Sequence, residues 1–330
     1  MVRSERVRSL RFPAVSWAAA GAVLSLLVAC GGGVYGEFPS PPTPVFTATP
    51  SAEVENGILA EIPVDGSPCF LTEAGGRVWV AAFDGSELAE IDPETNEVVS
   101  IRQMPEGPCG MLELDGTLWI ETNAGVIVRF DPERNEVIDR IRAPGGVFGL
   151  TSTPSGLWAV AGEEEQIVEI DPDSGEILGR IDVDGPLGGF VFAREQLWVA
   201  AAGTLVRIDP RTRSIVDTIE LESFEPEGLA VDGDLLWISS SFEQSVLRFD
   251  LETMKVRDRL PVGGANFGGF VIGESYWVSG NNTLYRLDVE TGEVEDQLDL
   301  VGFGPFPAAG DLWTVDFVSN TVFRLDERAP

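Results

Sequence analysis

No histidine occurs anywhere in the 330-residue chain, and basic residues are scarce: 22 Lys and Arg stand against 54 Asp and Glu, a formal charge of −32 at pH 7. Without imidazole there is no Ser-His-Asp triad, no Cys-His pair and no ordinary zinc site, because neutral imidazole is the usual base near pH 7 and a frequent zinc ligand. The shortage of positive charge excludes nucleic acid as a partner, since phosphate binding needs a basic footprint, and an acidic field repels anionic lipid headgroups for the same reason. No glycine-rich phosphate loop stands in a strand-to-helix setting. Carboxylate chemistry survives: an Asp or Glu pair can serve as acid and base or hold a hard cation through oxygen. The densest acidic run, Glu163-Glu164-Glu165, reads as a solvated loop. No cofactor and no metal are expected, and catalysis is not assigned to any residue.

Long apolar runs are also lacking, with one exception at the start. Four arginines (Arg3, Arg6, Arg8, Arg11) precede an apolar stretch from Ala14 to Ala29, the basic and apolar parts of an export signal. It is shorter than the roughly eighteen residues that suggest a spanning helix. The stretch ends in Leu27-Val28-Ala29-Cys30, which resembles the lipobox of bacterial lipoproteins. That resemblance implies that Cys30 becomes the first mature residue and carries acyl chains that anchor the protein to the outer side of the bacterial cell membrane. Each buried methylene of such a lipid adds about 0.8 kcal/mol. Residues 30–55 then run through Gly31-Gly32-Gly33 and Phe38-Pro39-Ser40-Pro41-Pro42-Thr43-Pro44. This composition cannot bury a core and reads as a semi-rigid tether. Once residues 1–29 are set aside, 18 basic and 53 acidic residues remain, a formal charge of −35, as suits the solubility of an exposed protein.

From residue 56 onward the chain repeats. Trp79, Trp119, Trp158, Trp198, Trp237, Trp277 and Trp313 are spaced by 40, 39, 40, 39, 40 and 36 residues, and a second mark keeps the same rhythm: Asp92, Asp131, Asp171, Asp209, Asp250, Asp288 and Asp326, each after an apolar residue. A period of about forty residues with four short strands and Gly-marked turns is that of a propeller blade. The reading is therefore all-β, one seven-bladed β-propeller over 56–330, behind a signal at 1–29 and a tether at 30–55. The repeated Asp reads as a turn former and the repeated Trp as packing between blades. Asn96, Asn135, Gly175 and Gly292, each four residues after an Asp, are types that tolerate the left-handed backbone of a tight hairpin. The seventh unit stops after its third strand, while Asn56 to Ile62 aligns with Gly175 to Ile181. The N-terminal strand should therefore complete the last blade and remove an exposed edge.

Units such as Leu197-Trp198-Val199-Ala200-Ala201 with Arg207-Ile208-Asp209-Pro210 resemble those of the virginiamycin B (streptogramin) lyase superfamily and related YVTN/NHL-type propellers. The resemblance implies the fold. Lyase members use histidines and a glutamate around magnesium, and a chain without histidine offers no position onto which that machinery carries over.

Tight, similar turns such as Asp115-Gly116 and Asp232-Gly233 should close one face of the disc, leaving a variable face where binding is expected. Ten residues before each Trp stand Cys69, Cys109, Phe148, Gly188, Glu227, Phe267 and Phe303. Phe148, Phe267 and Phe303 with Glu227 suggest an apolar channel mouth with a polar handle, surrounded by Phe83, Phe242 and Phe317 on loops. Phenylalanines that merely plug the channel are the competing reading. With Cys30 lipidated, Cys69 and Cys109 form an even pair in an oxidising compartment, which favours a disulfide, although neighbouring blades can hold two Cα atoms beyond the roughly 7 Å limit. The expected function is a monomeric, extracytoplasmic, membrane-anchored binding or interaction module, non-catalytic, for a small-molecule, peptide or protein ligand. The alternatives are a carboxylate-dependent lyase or hydrolase and a purely structural envelope protein.

Overall fold

Each Trp-centred unit folds as a four-stranded antiparallel sheet, seven sheets in all. The computed structural model describes residues 57–326 apart from 106, 144–145, 264–267 and 281. The signal, Cys30 and the tether lie outside the described residues. Twenty-eight strands, β1 to β28 in chain order, build seven blades: 68–103, 108–142, 147–182, 187–220, 228–261, 269–298, and 303–325 completed by 58–63. The inner strands of neighbouring blades touch all the way round, the last against the first. The protein is a closed seven-bladed β-propeller. Apart from one turn of 3-10 helix at Gly162–Glu164, the described regular structure is all strand.

Closure follows from the missing strand. β1 (Ile58–Pro63) pairs antiparallel with β28 (Thr321–Leu325), Ile62 opposite Val322. Three further bonds tie the ends together: Val64 N–H donates to Asn320 O at 2.9 Å, Ser67 N–H to Asn320 Oδ1 at 2.8 Å, and Ala309 N–H to Glu73 Oε2 at 2.7 Å.

The core is divided among the blade interfaces, one cluster to each, because a twisted sheet buries its face only against the next sheet. Every cluster centres on one indole: Trp313 meets Val78, Val80 and Ile91 of the first blade, Trp79 meets Leu118, Ile120 and Phe130, and Trp237 stacks on Tyr276 with centroids 4.3 Å apart. Burying an indole removes about 150–250 Å² from water, worth at most about 4–6 kcal/mol. The repeated Asp does bond its own turn: Asp171 Oδ1 accepts from Asp173 and Ser174 N–H at 2.9 and 2.8 Å. Such bonds hold the carboxyls of Asp92, Asp171, Asp209, Asp250 and Asp288 below their ordinary pKa. Asn96 and Asn135 take positive φ of 58° and 55°, and Arg213 and Met254 hold the same conformation at 54° and 57° without help from residue type.

Two residues before that Asp, Arg129, Arg207, Arg248, Arg286 and Arg324 each lie over the Trp of their own blade, 5.0 to 5.9 Å from the ring centroid. Three of them also reach the turn of the following blade: Arg129 donates to Asp173 O, Arg248 to the carbonyls of Val289, Glu290 and Thr291, and Arg324 to Pro93 O and Asn96 Oδ1. In the other two blades the position holds Glu90 and Glu169, and the polarity reverses. Asn135 donates to Glu90 and Arg213 to Glu169 from the next blade's turn.

Candidate functional site

Inner strands begin where Trp strands end: Pro68 lies opposite Ala82, and Phe83 N–H donates to Ser67 O at 3.0 Å. Channel mouth and the connections after each Trp strand therefore share one face, while the turns Gly75-Gly76 and Asp115-Gly116, with positive φ, lie on the other. In five blades the inner strand slips register at its first residues, between Pro68 and Phe70, Pro108 and Met111, Phe148 and Leu150, Leu187 and Phe190, and Phe303 and Phe306. Such bulges re-aim side chains, and they fall at or beside the positions ten residues before each Trp.

At two of these bulges Cys69 and Cys109 meet. The first and second inner strands, β2 (Pro68–Ala74) and β6 (Pro108–Leu114), bring their Cα atoms to 5.6 Å and the sulfurs form a disulfide. The separation that neighbouring blades threaten to impose is removed because each cysteine occupies a bulge at the mouth, where the strands converge.

The remaining candidates share the face but do not merge into one apolar mouth. Phe148 is 40% exposed and its ring lies over Gly162. Phe303 is half-buried against the cluster between the last and first blades, and the ring contacts there join Phe70 to Phe306 and Phe306 to Phe270, at 4.6 and 5.8 Å. Phe267 lies outside the described residues. Glu227 is no free handle: its carboxylate accepts from Ser241 N–H, as neighbouring Glu243 accepts from the Ser240 hydroxyl and from Glu225 N–H. On the loops, Phe83 packs on Gly107, whereas Phe242 and Phe317 are 59% and 45% exposed.

One polar residue at the mouth was missed by sequence reasoning. Glu121, on β7 (Thr117–Thr122), is buried beneath the inner strands of its own blade and the next. A Cβ on Gly110 would collide with both of its carboxyl oxygens, and Gly149 N–H donates to it. Burial raises its pKa to about 8, with the Gly149 bond opposing, so the carboxyl is largely neutral at pH 7 and able to donate a hydrogen bond or a proton. The signal was available: two residues after each Trp stand Ala81, Glu121, Val160, Ala200, Ser239, Ser279 and Val315, and only one of these positions is charged.

The magnesium centre implied by the lyase resemblance does not fit these residues, since among the described residues no three His, Cys, Asp or Glu converge as a metal site. No family model and no curated protein matches the chain. Solved structures do. A streptogramin B lyase is 16% identical over 81% of this chain and 96% of its own, with a TM-score of 0.70. A chain of a mitotic checkpoint complex is 12% identical over 91% and 100%, TM-score 0.71. A hydrazine synthase chain of Kuenenia stuttgartiensis is 14% identical over 82% and 98%, TM-score 0.70. Identities this low speak for the propeller alone.

Proposed function

We propose that this propeller is a non-catalytic binding module of the bacterial envelope, tethered through Cys30 on the outer side of a membrane and presenting its variable face to a ligand. The observation that carries the reading is the division of the disc. Among the described residues the three exposed aromatic side chains, Phe148, Phe242 and Phe317, stand on the face of irregular connections, whereas the opposite face is made of repeated turns committed to their own backbone. Variable loops on a rigid scaffold are where recognition sits. The direction of β1 supports the presentation: it runs from Ile58, opposite Leu325, to Pro63, opposite Thr321, so the chain enters the propeller on the turn-rich face. A photocrosslinker placed at Phe242 of the full chain, in cells, should give an adduct that one placed at Asp232 does not. An adduct from Asp232 alone overturns the reading.

Glu121 favours a second reading, a carboxylate-dependent lyase or hydrolase. A buried, neutral carboxyl at a channel mouth is the form a general acid takes, and the fold is shared with a streptogramin B lyase. Turnover of a streptogramin B that disappears in Glu121→Gln would establish it. No turnover by the wild-type chain would remove it.

A further inference from the structure

We infer that the variable face docks a cationic peptide segment with apolar anchors, its charged part over the third to fifth blades and its apolar part over the fifth to seventh. The inference rests on the variable face being the binding face and adds the chemistry and orientation of the partner.

Two features of the face support it. The first is one-sided charge. None of the connections on this face contains Lys or Arg in its sequence, and five exposed carboxylates follow one another along an arc: Glu164 and Glu165 in the third blade, Asp184 before the fourth, Glu222 and Glu225 before the fifth. The ion pairs among the described residues all lie on strands or on turns of the opposite face. Two strand cations temper the arc: Arg259 donates to Ser223 O and covers Phe224, and Arg180 donates to Gln166 Oε1 beside Glu165. The second feature is an apolar arc that continues the first. Phe242 in the fifth blade, Val301 before the seventh, and Phe317 and Val318 in the seventh are 59%, 47%, 45% and 75% exposed. Side chains of this size left in water on rigid loops are the anchors that interfaces bury.

Charge complementarity selects the partner. An acidic field steers a cation and rejects an acidic segment, and large exposed side chains add contact that does not fade with salt. The opposite face is acidic too, but its repeated aspartates are bonded to turn amides and partly paired with Arg77, Arg134 and Arg211, and its turns carry no exposed aromatic among the described residues. A bilayer suits the surface less, since carboxylates beside the apolar tips repel anionic headgroups.

The test uses the full chain and a labelled synthetic peptide with an Arg cluster at one end and Trp and Leu at the other, read by fluorescence anisotropy. Its Arg→Glu counterpart should bind at least about tenfold more weakly. Raising ionic strength from about 0.1 to about 1 M, which shortens the Debye length from about 10 to about 3 Å, should weaken the wild-type complex. The same change should weaken it much less when Glu164, Glu165, Asp184, Glu222 and Glu225 are all made amides. Phe242→Ser with Phe317→Ser and Val318→Ser should weaken binding about tenfold at either salt, with the melting temperature unchanged. Equal binding of both peptides, or indifference to the three serines, overturns the inference. So does capture by neutral phosphatidylcholine vesicles that the serines abolish, which would assign the apolar arc to a membrane. An acidic or neutral partner crosslinked at Phe242 overturns only the partner chemistry, whereas peptide binding lost in Asp232→Lys alone overturns the binding face as well.

Discussion

Arg324 Nη1 donates to Asn96 Oδ1 at 2.8 Å, although the two residues are 228 apart in the chain. One guanidinium thus spans the seam of the ring, since it also reaches Pro93 O in the first blade and Asp311 in its own, and it lies 5.4 Å from the centroid of the Trp313 ring. Replacing it by methionine keeps the packing and leaves Asp311 and the turn carbonyl without their donor. The expected loss is about 1–3 kcal/mol in urea unfolding, whereas Arg194→Met, which removes an exposed pair with Asp234, should cost less than about 1 kcal/mol. Equal effects would show that the clasp adds nothing to closure.

Deleting residues 57–62 removes the outer strand of the last blade and uncovers β28, Ile62 and Ala60 being part of the cluster that holds Trp313. A chain shortened to Asp65 should melt well below one that starts at Thr49, and should tend to aggregate through the bared edge. Coincident melting curves would mean that β1 is dispensable.

The Cys69–Cys109 bond closes a loop of sequence separation 40, for which chain entropy predicts up to about 4 kcal/mol of stabilisation. Alkylation of the unreduced, denatured protein should leave both sulfurs unmodified, and Cys69→Ser with Cys109→Ser should lower the melting temperature. Labelling of both thiols without reductant would show the pair reduced.

Glu121 sets a pH dependence. Its folded pKa, about 8, lies above the ordinary 4.5, so between these values the folded protein binds more protons than the unfolded chain and its stability falls as pH rises. The carboxyl's contribution is fully present below pH 4.5 and lost as pH passes about 8, a change on the order of 5 kcal/mol. Glu121→Gln should flatten that decline and be the more stable protein at pH 9. The turn aspartates act in the opposite sense: their depressed pKa values support the fold above the ordinary carboxylate range, and that support fades in acid. A wild-type stability profile that is flat between pH 5 and 9 would contradict the burial of Glu121.

Labelled fatty acid should enter the protein in bacterial cells and be lost in Cys30→Ser. Persistence of the label in that variant would remove the lipid anchor from the proposal.

The sequence by itself determined the number of blades, the closing strand and the division into a regular and a variable face. These depend on marks the chain carries locally: a Trp and an Asp 11 to 13 residues later in every unit, Asn or Gly four residues after the Asp in four of them, and a first strand without a unit of its own. Only the tertiary structure decided how single residues are used. Glu227 sits at the predicted place, yet the backbone amide of Ser241, in the other connection of its blade on that face, occupies its carboxylate. Phe303 belongs to an interface cluster, and Cys69 reaches Cys109 through bulges that spacing does not reveal. Glu121 acquires its role from a strand of the neighbouring blade, and Arg248 and Arg324 acquire theirs from its turn. The physical reason is that strand period and turn formation are local, whereas desolvation, hydrogen-bond partners and sulfur distances arise only when separate blades are packed against one another.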